Sequence, residues 1–213
     1  MKYKAILFDM DGTLLDTIMD MADSVNHILS VHGWPLRTTE EVRAFVGNGA
    51  RRLMERAVPP EVTGGDFEAV LTEYRDWYQA HNCVATAPYP GIPALLAALA
   101  EAGIKTAVVS NKPDATTKTL AARFFPGLPA FGQRDDVPPK PAPDLVFRAL
   151  ETLGVDAADA IYVGDSEVDV ATARNAGLPL AAVSWGFRGR RALAEAGAAV
   201  IVDTAAELLE VLR

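Results

Sequence analysis

The amino-acid sequence predicts an α/β fold: a parallel sheet with helices on both faces, interrupted early by a purely helical insertion. Three observations lead to this expectation. From about residue 84 onward, short apolar β-rich runs alternate with amphipathic helical stretches, a pattern that implies parallel strands joined by right-handed crossovers. Between Asp16 and Asn82, apolar residues recur only at helical spacing. The opening run Tyr3–Phe8 reads as a buried strand and leads directly into Asp9-Met-Asp11-Gly-Thr13. Parallel sheets place their ligands at the carboxyl ends of strands, so this acidic turn falls where chemistry is expected.

In chain order, Ile18, Ala22, Val25 and Leu29 mark a first helix, stopped by Gly33 and Pro35. Thr38-Thr-Glu-Glu41 has the form of a capped helix start. Gly47-Asn-Gly49 breaks the chain before a short basic helix containing Arg51 and Arg52, and a longer helix carries Phe67, Val70, Leu71, Tyr74, Trp77 and Tyr78. These four helices contain no convincing strand, and residues 16–83 are expected to form an inserted domain between core segments 1–15 and 84–213. Beyond it, helices at Ile92–Leu99, up to Phe124, at Leu145–Leu153, Val170–Ala176 and Ala205–Leu212 separate strands at Thr106–Val109, Ala130–Phe131, Ile161–Val163, Leu180–Val183 and Ala199–Val202.

The chain has 213 residues, half of them hydrophobic, and a formal charge of -8. A strongly acidic balance argues against nucleic acid as a partner. No run approaches the roughly 20 apolar residues of a membrane span. The first strand begins without a preceding leader pattern, and a cytoplasmic location is expected. Cys83 is the single cysteine, so no intrachain disulfide forms, and His27, His32 and His81 lack zinc-ligand spacing.

Polar residues at strand ends then define a candidate site. Asp9 and Asp11 follow the first strand, Ser110 and Asn111 the second, and Asp165 and Asp169 a later one, with Lys140 in the loop Pro138-Pro-Lys140-Pro-Ala-Pro143. Carboxylates with oxygen-only partners suit a hard cation, and Mg²⁺ takes few protein ligands while keeping places for water and phosphate. A hydroxyl and an ammonium beside such an ion form a cradle for a phosphoryl group. One aspartate can then act as nucleophile and a second as proton donor and acceptor.

These residues resemble the motifs of the haloacid dehalogenase-like (HAD) hydrolase superfamily, in particular its phosphoglycolate phosphatase-like branch. Asp9–Thr17 is similar to the first motif, Val108-Val-Ser-Asn-Lys112 to the second, Lys140 before Pro141 to the third, and Gly164-Asp-Ser-Glu-Val-Asp169 to the fourth. The resemblance implies a Rossmann-like core with a four-helix cap. It implies Asp9 as nucleophile, Asp11 as general acid/base, and Ser110, Asn111 and Lys140 as phosphate-binding groups. Mg²⁺ would be held by Asp9, Asp165 and the backbone carbonyl of Asp11, with Asp169 a nearby acidic partner. Gly47, Asn48, Gly49 and Arg51 of the cap would contact the substrate.

The expected activity is Mg²⁺-dependent hydrolysis of a small phosphorylated metabolite through an aspartyl phosphate, with 2-phosphoglycolate as the first candidate. A phosphosugar mutase or pyrophosphatase of the same superfamily would share the chemistry. A phosphoacceptor signalling module would share the acidic site, but neither the second carboxylate two residues on nor the helical insertion.

Overall fold

A computed structural model describes residues 2–213; of the expected core segment 1–15, Met1 lies outside them. Six strands form one parallel sheet: β1 (Ala5–Phe8), β4 (Lys105–Pro113), β5 (Ala130–Gln133), β6 (Ala160–Gly164), β7 (Leu180–Val183) and β8 (Ile201–Val202). Their spatial order is β5-β4-β1-β6-β7-β8, which places β1 at the centre between β4 and β6. All six were legible as strands in the sequence. The second runs further than its apolar segment suggested, because Ser110 lies inside β4 and the strand continues to Pro113.

Side chains alternate across the sheet as the pleat requires. Ile6 and Phe8 join a core formed with α5 (Ile92–Glu101), α6 (Asp114–Phe124) and α10 (Ala205–Leu212). Ala5 and Leu7 point to the other face, against α7 (Asp144–Leu153) and α8 (Glu167–Ala176). One further helix, α9 (Gly189–Glu195), escaped the sequence reading because only Leu193 of its seven residues is buried, leaving no apolar stripe to detect.

The inserted segment contains α1 (Ile18–Val31), α2 (Thr39–Phe45), α3 (Gly49–Ala57) and α4 (Gly64–His81). These helices bury a core of their own, with Val25, Leu29, Val42, Met54, Leu71 and Tyr74 at its centre. The expected capped start is present as a full capping box: the Thr38 hydroxyl accepts from the Glu41 N–H, and the Glu41 carboxylate accepts from the Thr38 N–H at 2.7 Å.

Where the chain enters and leaves this helical segment, two short strands that the sequence did not reveal pair antiparallel: β2 (Leu15–Asp16) and β3 (Ala87–Pro88). Beside them the buried Asp20 carboxylate accepts N–H groups from Val84, Ala85 and Thr86 at 2.8–3.0 Å. Three donors on one carboxylate fasten the outgoing chain to the first helix of the insertion.

Candidate active site

The carboxyl ends of β1, β4 and β6 open into a cavity of about 380 Å³ roofed by α1, α3, α4 and the turn that follows α2. Asp9, Asp11, Ser110, Asn111, Lys140 and Asp165 all line it. β1 ends at Phe8, so Asp9 and Asp11 are brought together by a turn rather than by an extended strand. The Met10 carbonyl accepts N–H groups from Thr13, Leu14 and Leu15, and Gly12 adopts φ 82°. Glycine is required there on a second count, since a Cβ at Gly12 would come within 2.3 Å of the Asp165 carboxylate.

The two carboxylates have different partners. Asp9 Oδ1 lies 2.9 Å from Lys140 Nζ and accepts the Met10 N–H at 2.7 Å. Asp11 Oδ1 accepts the Thr17 hydroxyl at 2.8 Å and lies 3.3 Å from Lys112 Nζ. Burial pushes the Asp9 carboxyl up to about 7, against the pull of Lys140, and the nearby Asp169 and Asp11 charges add to the rise. Burial also holds Asp165 well above the usual carboxylate range, reinforced by Asp169 and Asp9 and opposed by the Phe187 N–H, which binds Asp165 Oδ2 at 2.7 Å.

Lys140 is the counter-ion of this group. Its ammonium reaches Asp9 and Asp169 at 2.9 Å and the Tyr162 hydroxyl at 3.0 Å, which accounts for all three of its protons. Burial works against its charge, yet Asp169 and Asp9 more than compensate and raise its pKa well above the usual lysine value. Asp169 does two jobs: it pairs with Lys140 and completes the capping box of α8 with Ser166.

The Asn111 side chain is engaged with the protein itself. It accepts the Lys140 N–H at 2.7 Å and donates to the Lys140 and Gly47 carbonyls. Both side-chain amide protons are therefore spent on backbone, so the Asn111 side chain positions Lys140 while the residue lines the cavity. Ser110 is 2 % exposed and keeps its hydroxyl at the cavity wall, where it accepts the Lys112 N–H.

The insertion contributes Gly47 and Gly49 to the cavity wall, but neither Asn48 nor Arg51 lines it. The Arg51 guanidinium makes two bonds to the exposed Glu68 carboxylate, at 2.7 and 2.8 Å, and lies over the Phe67 ring. Arg51→Ala is accordingly expected to leave KM within about twofold of the parent, because exposed ion pairs contribute little; steady-state kinetics checks this.

Lys112, Tyr78 and Arg188, by contrast, line the cavity without having been singled out in the sequence. Lys112 is buried, donates to the Tyr78 hydroxyl at 2.6 Å and faces the Tyr78 ring. Burial lowers its pKa, an effect that Asp11 partly offsets. Its place at the end of a strand-terminal polar run was a signal. Nothing local marked Arg188, whose two partners in the insertion, the Arg43 and Val46 carbonyls, are more than a hundred residues away in sequence.

Asp9, Asp165 and Asp169 can direct carboxylate oxygens to within 4.8 Å of one another, all three buried. One ammonium, Lys140, stands against three buried carboxyl groups there, so with all three ionised the group would carry uncompensated negative charge. The all-oxygen donor set and its charge deficit fit a small divalent cation such as Mg²⁺. Among the described residues, no helix is long and apolar enough to cross a membrane.

Comparison with known proteins agrees with this geometry. The family model for haloacid dehalogenase-like hydrolases matches residues 6–183. The N-acetylmuramic acid 6-phosphate phosphatase of Pseudomonas aeruginosa is 36% identical over 100% of this chain and 96% of its own length. The phosphoglycolate phosphatase of Pseudomonas savastanoi pv. phaseolicola is 34% identical over 97% of this chain and 78% of its own. A solved structure from Lactobacillus delbrueckii subsp. bulgaricus, 37% identical, superposes with a TM-score of 0.94 over 100% of this chain and 99% of that one. The parallel sheet, the strand-end carboxylates and these matches together establish that the chain belongs to the haloacid dehalogenase-like hydrolase family.

Proposed function

We propose that the protein is a Mg²⁺-dependent phosphatase that hydrolyses phosphomonoesters of small metabolites through an aspartyl phosphate on Asp9. The observation that carries this reading is the division of the acidic turn. Asp9 and Asp11 face one cavity, Asp9 paired with Lys140 and Asp11 with Thr17 and Lys112. Two carboxylates in separate environments suit two separate tasks.

In this reading Asp9 Oδ attacks phosphorus, the bond to the leaving oxygen breaks, and Asp11 delivers a proton to that oxygen. Asp11 then takes a proton from water as it attacks the aspartyl phosphate, which releases inorganic phosphate and restores Asp9. Lys140 holds Asp9 in place and opposes the charge that gathers on the phosphoryl oxygens, while the Ser110 hydroxyl offers a donor at the cavity wall. Asp9 and Asp165 would hold Mg²⁺, with the Asp11 carbonyl as the family's further ligand and Asp169 close by; the bound ion would supply charge neutralisation on the transferring group. The roof formed by residues 16–83 would exclude water during the first transfer.

Phosphoglycolate remains a candidate substrate, since several relatives are phosphoglycolate phosphatases. The size of the cavity favours a larger leaving group. At about 380 Å³ it falls in the lower part of the range of roughly 300–1,000 Å³ common for pockets that bind drug-sized ligands, which leaves space beside a phosphoryl group and a metal ion for more than a two-carbon acid. Apolar Met21, Val46, Leu53 and Phe187 line it beside the polar groups, a mixture that suits a phosphorylated sugar or sugar acid, the class named for another relative.

A panel of phosphomonoesters, assayed with Mg²⁺ and again with a chelator, tests both statements. Phosphate release that requires Mg²⁺ is expected, with kcat/KM for hexose phosphates and their acid derivatives at least about tenfold above that for phosphoglycolate. Release unaffected by chelation overturns the metal assignment, and a preference for phosphoglycolate overturns the size argument.

A further inference from the structure

The loop after β7 joins the core to the inserted helices through four consecutive residues: the first two sit against the first-motif turn and the last two reach the insertion. Trp185 Nε1 donates to the Thr13 carbonyl of the first-motif turn at 3.1 Å. Gly186 lies so close to that turn that a Cβ would come within 2.3 Å of both Asp165 Oδ2 and the Gly12 carbonyl. The Phe187 N–H binds Asp165, while its ring packs on the hydrophobic core of the insertion. Arg188 then crosses to the roof: Nη1 donates to the Arg43 carbonyl at 2.8 Å, Nη2 donates to the Val46 carbonyl, and Nε binds Glu167 of α8 at 2.9 Å.

The carbonyls that Arg188 binds belong to the end of α2. The last carbonyls of a helix lack intrahelical partners, and the helix dipole favours a cation there. Arg56 meets the Phe45 carbonyl from inside the insertion at 2.7 Å, but Arg188 reaches the same helix end from the core. Its side chain is only 15% exposed, and its forked guanidinium fits two carbonyls and a carboxylate at once. Directly after Val46 comes Gly47, which lines the cavity; a Cβ there would stand 3.2 Å from Arg188 Nη2. The turn that closes the site on its roof side is thus held against the core by one side chain, with the Asn111 bond to the Gly47 carbonyl as a second, longer tie of 3.2 Å.

We propose that Arg188 is a positioning residue for substrate binding: it clasps the end of α2 to the core and so sets the resting position of the Gly47–Gly49 turn over the cavity. Without the clasp the turn is closed in a smaller fraction of molecules, and the apparent affinity for substrate falls by that fraction. The carbonyls it holds are backbone groups, so the contact depends on the arginine and not on which side chains α2 carries.

The test is amide hydrogen exchange on the metal-free full chain, compared between the parent and Arg188→Ala. Exchange across residues 43–50 is expected to accelerate by about tenfold, with the amides of β1, β6 and α4 unchanged. Arg188→Lys, which keeps the charge beside Glu167 but loses the fork, is expected to fall between the two. Should Arg188→Ala fold poorly, Glu167→Ala removes the group that aims the guanidinium and is expected to loosen the same segment by a smaller factor. In turnover assays KM should rise about fivefold to tenfold in Arg188→Ala while kcat changes less than about twofold. That kinetic arm rests on the phosphatase reading; the exchange arm does not. Unchanged exchange over 43–50 in both alanine variants overturns the clasp, as does a rise in Arg188→Ala spread equally over β1 and β6, which would mark general destabilisation.

Discussion

Asp9→Asn is expected to reduce phosphatase turnover by about 10⁴-fold or more, since an amide cannot serve as the nucleophile. Asp11→Asn should behave differently, slowing the reaction by about 10²–10⁴-fold and accumulating phosphoenzyme that intact-mass measurement can detect. Near-normal turnover in Asp9→Asn would remove the nucleophile assignment.

The same substitution should have an opposite effect on stability in the absence of metal. The folded-state pKa of Asp9 is raised to about 7 from an ordinary 3.8, so between those values the folded chain holds a proton that the unfolded chain has released. Metal-free stability therefore falls as pH rises through that window. Asp9→Asn removes the buried charge and should stabilise the metal-free protein at pH 8 by roughly 1–3 kcal/mol, the lost contact with Lys140 keeping the gain below the full linkage value. Urea unfolding of both proteins at pH 5 and pH 8 checks the sign, and the difference between them should shrink at the lower pH. Added Mg²⁺ should raise the parent's midpoint and have much less effect on the variant's.

The second large effect is expected at Lys140. Lys140→Met keeps the aliphatic volume and removes the ammonium that sits between Asp9 and Asp169. Breaking a buried ion pair from one side leaves uncompensated charge and costs roughly 3–5 kcal/mol. Turnover should be lost as well, because Asp9 loses the group that orients it. The stability loss should diminish on acidification, as the carboxylates take up protons and no longer need a counter-ion. A loss of equal size at pH 5 and pH 8 would show that packing around Lys140, and not its charge, maintains the fold.

Much of this was legible in the sequence, for reasons that differ by element. The strands of the sheet announced themselves as short apolar runs because a parallel sheet buries both faces, and the full burial of Ala5–Phe8 and Ala160–Gly164 reflects this. Thr38 and Glu41 announced a helix start because a capping box is a local device. Other features were hidden because their causes are not local. β2 and β3 are two residues long and exist only because distant parts of the chain meet. The orientation of Arg51 depends on Glu68 on another helix. Arg188 reads as one more surface arginine until the fold brings the end of α2 beside it. At the site, residue types and spacing marked the acidic groups that the fold gathers at one cavity, but not that the Asn111 side chain spends its donors on Lys140 and Gly47.

The paired strands β2 and β3 have a consequence for how such a protein changes over time. The chain departs from the core at Asp16 and rejoins it at Ala87, residues that face each other in one antiparallel pair, about one strand spacing, roughly 5 Å, apart. Everything between them is thus topologically a loop with neighbouring ends, tied to the core by side-chain bonds such as Asn111 to Gly47 and Lys112 to Tyr78 and by no pairing with the parallel sheet. A different roof can be exchanged at that doorway without moving β1, β4 or β6, so a lineage can change which molecules it admits while the acidic turn at residues 9–11 stays as it is.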